Sequence, residues 1–144
     1  MSDRESRLEE ARWLSGMFIH ITDRTKADFA QIVATFGLPV HLARAVLALS
    51  SPAPMRQLAD QLACDRSYIT NLADQLEERG LVTRVPGEDR RVKLLQLTAS
   101  GQTLRNQMSE AVAERALVLR RLSAAERRTL APLLEKLLQD DPDA

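Results

Sequence analysis

Two groups of side chains in this chain are of the types that grip a polyanion. Arg66, Ser67, Tyr68, Thr70 and Asn71 are close neighbours and lie off the apolar stripe set by Ile69, Leu72, Ala73 and Leu76. Asn can pair two-pronged with adenine, Ser and Thr accept or donate to several bases, and an Arg in a first helical turn can hold a phosphate. The second group is Asp89-Arg90-Arg91, just past the turn residues Pro86-Gly87-Glu88. Guanidinium groups at the tip of a hairpin suit the narrow, electronegative minor groove of a DNA duplex. The plain alternative for both groups is a solvated, charged surface.

The elements that must carry these residues can be read from periodicity and punctuation. Asp65 is a good N-cap for a helix running to Arg79, with Gly80 as its stop. Leu81–Val85 and Val92–Leu97 are rich in branched apolar residues and read as two strands joined by the charged turn. Before them, Leu42, Val46 and Leu49 mark a second helix, broken by Ser50-Ser51-Pro52-Ala53-Pro54, and Met55, Leu58, Ala59 and Leu62 mark a short third. Helix, turn, helix and an arginine-tipped strand pair make a winged helix. A first helix over residues 5–34 carries Leu8, Ala11, Leu14, Phe18 and Ile21 on one face. A long fifth helix, capped by Thr98, is expected to run through Leu104, Met108, Leu119 and Leu122. Ser123-Ala124-Ala125-Glu126 is a capping box opening a sixth, and Asp140–Ala144 is expected to fray.

The expected fold is therefore mainly α with a small β-hairpin wing: a winged helix-turn-helix domain at 38–98, flanked by a helical dimerisation region at 1–37 and 99–144. The ladder Leu130, Leu133, Leu134, Leu137 and Leu138 is generous for one chain, and a homodimer is the economical way to cover it.

Composition narrows the classes. No apolar run approaches a membrane span, and residues 1–13 are charged rather than apolar, so the expected location is the cytoplasm. Aromatic residues are 3% of the chain, too few for a single-strand stacking platform. One Cys, two distant His and no glycine-rich phosphate loop leave no catalytic constellation, no cofactor site and no metal site. Net charge is zero, and the stretch 56–93 holds seven basic and seven acidic residues, so affinity for DNA must come from placement rather than from bulk charge. That neutrality supports an alternative, a winged-helix protein-interaction module without an operator. Arg66, Asn71 and Arg91 argue against it, because a protein-binding wing needs apolar anchors. Cys64 sits in the turn before the fourth helix and is read as packing rather than as a redox switch.

Three blocks resemble the MarR family of bacterial transcription regulators: Gln57–Leu62, Leu76–Val82 with Arg84, and Asp89-Arg90-Arg91 followed by Leu97-Thr98-Ala99-Ser100-Gly101. The resemblance covers nearly the whole chain: helix, helix-turn-helix, wing, then two long helices. The resemblance implies a homodimer, binding a pseudo-palindromic operator in double-stranded DNA, more often as a repressor. Members are often released by a small phenolic or other anionic effector, or by thiol oxidation. It also implies that Arg91 enters the minor groove while Asp89 holds its guanidinium, with Arg90 on phosphate or in solvent. Asn71 stands where many members carry Arg. An effector would sit between the dimerisation helices and the winged unit, which makes Trp13, Met17, His20, His41, Arg44 and Met108 the candidate contacts.

Overall fold

Polar caps set where four helices begin. The computed structural model describes residues 2–140 and runs α1 (Asp3–Ala34), α2 (Val40–Ala48), β1 (Ala53–Pro54), α3 (Met55–Leu62), α4 (Arg66–Glu78), β2 (Val82–Pro86), β3 (Lys93–Leu97), α5 (Ala99–Glu114), α6 (Leu117–Arg121) and α7 (Ala124–Leu138). Asp65 accepts from the Tyr68 amide, Thr98 from the Gly101 amide, and Ser123 and Glu126 exchange hydrogen bonds in a capping box, all as expected. A further box, Ser2 with Glu5, opens α1. Residues 141–144, expected to fray with Asp140, lie outside the described residues.

The core gathers in the winged unit. Leu42 and Val46 of α2 and Leu49 at its C-cap, Leu58 of α3, Ile69, Leu72 and Leu76 of α4 and Leu95 of β3 are buried together, joined by Val33 from the end of α1 and Met108 from α5. These are the apolar stripes that the periodicity marks.

The exit from α4 explains the Leu76–Val82 block. Gly80 adopts φ +71°, its amide donates to Glu77 O, and the Leu81 amide reaches back to Leu76 O. This is a Schellman ending, in which a left-handed residue lets orphan carbonyls find donors. The chain then enters β2. The return strand is locked to the same point: the Thr98 amide donates to Leu81 O at 3.0 Å and the Thr98 hydroxyl to Gly80 O at 2.6 Å. Gly101 packs so closely that a Cβ there would run into the Leu81 carbonyl oxygen. The Thr98–Gly101 block is thus a staple between the wing and the exit of α4.

Three features depart from the sequence reading. The sheet has three strands in the order β1-β3-β2, all antiparallel, because Ala53 and Pro54 pair with Leu95 and Leu94. Proline cannot donate to a ladder, so this segment forms only a two-residue edge strand. The long fifth helix is divided: α5 ends at Glu114, Ala116 turns to ψ 132°, and α6 starts afresh at Leu117. The Arg120 guanidinium then pairs with Asp28 of α1 at 3.0 Å, tying the redirected segment to the first helix. Finally, α1 and α7 contribute little to this chain's own core. Only Ile32 and Val33 of α1 are buried and no residue of α7 is, leaving Trp13, Met17, Phe18, Leu133, Leu137 and Leu138 exposed.

Candidate nucleic-acid interface

Helix α4 presents its polar face as the spacing requires. Ile69, Leu72, Ala73 and Leu76 are buried, whereas Arg66, Ser67, Tyr68, Thr70 and Asn71 are exposed. Their hydrogen bonds shape what each can offer. The Ser67 hydroxyl donates to Asp65 Oδ1 at 3.1 Å and the Thr70 hydroxyl to Arg66 O at 2.9 Å. With those protons committed, both oxygens present lone pairs outward and are acceptors for amino groups. The Asp65 carboxylate is held below its usual range, first by the Tyr68 amide and then by the Ser67 hydroxyl.

Two carboxylates of this region are paired from within. Arg84 of β2 reaches back to α4, placing Nη2 2.6 Å from Asp74 Oδ1 and Nη1 3.1 Å from Glu77 Oε1. The bond to Asp74 and the charges of both carboxylates favour its protonated form. Of the remaining basic residues, Arg79 donates to Gly37 O, while Arg66, Arg90 and Arg91 have no ion-pair partner among the described residues. The seven-to-seven balance in the sequence thus conceals a sorting: the cations at the start of α4 and at the wing tip are free, and two of the carboxylates are not. The role of Arg84 escapes sequence reading because it joins residues seven and ten positions apart across a turn.

The wing tip differs from expectation in one bond. Asp89 Oδ1 accepts from the Arg91 backbone amide at 3.1 Å, not from its guanidinium. A carboxylate two residues before an amide closes a local turn more readily than it reaches a side chain pointing away. The turn is completed by Gly87 N–H to Val92 O and Val92 N–H to Asp89 O, both 2.9 Å. Asp89 therefore shapes the loop and leaves Arg90 and Arg91 exposed beyond it.

A cleft of about 770 Å³ lies between α1, α2 and the α5–α6 junction. Of the six residues expected to line it, only Arg44 does so. Met108 is fully buried in the core, because its face of α5 packs onto the winged unit. Trp13, Met17 and His20 lie toward the free end of α1, whereas the cleft begins at Ile21. His41 points elsewhere on α2: Val40, Arg44 and Leu47 face the cleft at helical spacing, and His41 meets α4, with Nε2 3.3 Å from Gln75 Oε1. Sequence reading missed Lys26, Asp28 and Arg115, which join the apolar Phe29 and Ile32 in the lining. Cys64 is half-buried against the core, in keeping with packing.

Residues 47–93, from the end of α2 through the wing, match the model of the MarR family. The likeness to that family lies in the winged unit. Wild-type MarR from E. coli, in its apo form, is 23% identical over 86% of this chain and 96% of that one, with a TM-score of 0.72. A cysteine-to-serine mutant of E. coli MarR in complex with operator DNA is 21% identical over 90% and 96%, with a TM-score of 0.71. A probable transcriptional regulator from Pseudomonas aeruginosa is 28% identical over 86% and 96%, with a TM-score of 0.65. The mainly helical fold with a small antiparallel sheet is the fold of these MarR structures. No helix among the described residues is long and apolar enough to cross a membrane.

Proposed function

We propose that this chain is a MarR-family transcription regulator, a homodimer that represses by occupying a pseudo-palindromic operator. Residues 38–98 form its DNA-binding lobe, and 1–37 with 99–144 carry the dimer contacts. The observation that carries this reading is the sorting of charge: Arg66, Arg90 and Arg91 are exposed and free, while Arg84 pairs with Asp74 and Glu77. In this reading the free cations hold phosphates and the minor groove. Ser67, Tyr68, Thr70 and Asn71 meet base edges in the major groove, with Asn71 reading adenine and the two hydroxyl oxygens accepting from amino groups. A MarR mutant of the same fold was solved with operator DNA, which supports the same use of this surface.

The exposed apolar faces of α1 and α7 support the dimer. The cleft supports an effector: Lys26, Arg44 and Arg115 line it, and its acidic residue Asp28 is already paired with Arg120. Such a site suits a small anion with an apolar body. Binding between the two lobes would change the spacing of the two recognition helices and release the operator.

Selection of bound sites from random duplex DNA at two salt concentrations tests the reading. A palindrome with half-sites about one helical turn apart is the expected result. Weak, salt-labile binding with no enriched sequence would overturn it.

A further inference from the structure

His41 is one of two histidines in the chain, and Tyr68 is the single tyrosine. The fold brings them together from different elements. His41 stands in the first turn of α2, half-buried, and its imidazole lies across α4. Nε2 is 3.3 Å from Gln75 Oε1, so the ring donates to the amide oxygen. On its other side the imidazole meets the Tyr68 ring, with centroids 6.3 Å apart and planes tilted by 59°. That separation is within the contact range of aromatic pairs. Tyr68 and Gln75 are two turns apart on one face of α4, so His41 bridges those two turns.

Tyr68 has no side-chain hydrogen bond among the described residues. Its amide donates to the Asp65 cap at 2.8 Å, and the residue is 45% exposed. A phenol in the first turn of α4 has two soft torsions, and the imidazole from α2 is the aromatic contact beside it.

We propose that His41 is a positioning residue for sequence reading. Anchored by Gln75, it fixes the direction of the Tyr68 ring and so the place of the phenol hydroxyl among the base contacts. This rests on the DNA-binding reading above and deepens it. His41 sets selectivity without itself touching a base, and Gln75 belongs to the same device although it lies beyond the exposed contact group. Removing the imidazole frees the ring at an entropic cost on binding and blurs the choice of base opposite Tyr68, while phosphate contacts remain.

Two measurements on the intact protein test this. With ring-labelled tyrosine the chain gives NMR signals from Tyr68 alone. His41→Ala should shift them toward free-tyrosine positions, and His41→Gln, whose amide can still donate to Gln75, should move them less. In parallel, the ratio of affinities for the selected operator and for a scrambled duplex should fall about tenfold in His41→Ala, with scrambled-duplex affinity unchanged, and recover in part in His41→Gln. Tyr68→Phe should lower the same ratio and make the His41→Ala loss smaller in its background. Unmoved Tyr68 signals in His41→Ala would overturn the contact. Moved signals with an unchanged ratio, or an equal loss on both duplexes, would overturn the positioning role. A wild-type chain that enriches no sequence would overturn the DNA reading and the selectivity role with it, while the ring signals would still decide whether His41 holds Tyr68.

Discussion

Arg91 carries an exposed guanidinium beyond a turn that Asp89 closes through the backbone. Its replacement therefore leaves the loop's hydrogen bonds intact. Arg91→Ala should weaken operator binding at least about tenfold, as expected for loss of a cation in the minor groove, with no change in the melting temperature. Fluorescence anisotropy with a labelled operator, read beside a thermal melt, checks both halves, and unchanged affinity would sink the groove assignment. Asp65 makes a different kind of contribution, to the geometry of α4. Its carboxylate is lowered by the Tyr68 amide and Ser67 hydroxyl, so its stabilisation is complete above the ordinary aspartate pKa and fades as pH falls through the lowered folded value. Asp65→Ala should thus melt lower than wild type at neutral pH, and the gap should close in acid. A gap that persists at the lowest pH at which both fold would show that the ionised cap is not its source.

At the scale of elements, one turn carries strain that its sequence does not announce. Ala63 ends α3 with φ 51°, its amide bonded to Asp60 O and the Cys64 amide to Ala59 O. This is the same ending that Gly80 gives α4, built here on a residue with a Cβ. Ala63→Gly should relieve the clash and stabilise the protein by about 1 kcal/mol, measured by urea unfolding, since left-handed backbone costs alanine roughly that much. A loss of stability would mean the turn is held by packing of the methyl group. Elements defined by local chemistry were legible in the sequence: Asp65, Thr98 and Ser123 cap, and Gly80 stops, through atoms a few residues away. Elements defined at a distance were not. Strand β1 is two residues long and exists because Leu94 and Leu95 lie beside it. The break at Arg115-Ala116 has no glycine or proline to mark it, and its new direction is held by Arg120 on Asp28, 92 residues away. The site divides the same way, since the polar face of α4 follows from helical period whereas the Arg84 clamp and the meeting of His41 with Gln75 require the folded chain.

For the whole molecule, the decisive question is what covers α1 and α7. Helix α7 buries none of its residues in this chain, and Leu133, Leu137 and Leu138 are 57%, 65% and 83% exposed. Leu130 and Leu134 are partly covered, so the ladder has one side turned inward and one outward. A row of outward leucines is a common mark of a protein contact, which supports the proposed dimer. The winged unit, by contrast, owes nothing to α7: its core draws on α2, α3, α4, the sheet, the end of α1 and α5. These two facts make the proposed dimer separable from the fold. Leu133→Glu with Leu137→Glu should give a monomer by sedimentation that keeps the helical circular dichroism of a folded chain. Because a palindrome is bound through two lobes linked at fixed spacing, losing the link converts one bivalent event into two weak ones. Operator affinity should fall by about a hundredfold or more, while affinity for a single half-site stays within a few-fold. A double variant that remains dimeric would move the contact to α1, where Trp13, Leu14 and Phe18 are the next exposed set. A monomer that still binds the full operator as tightly as wild type would remove the reason for two-fold symmetry altogether.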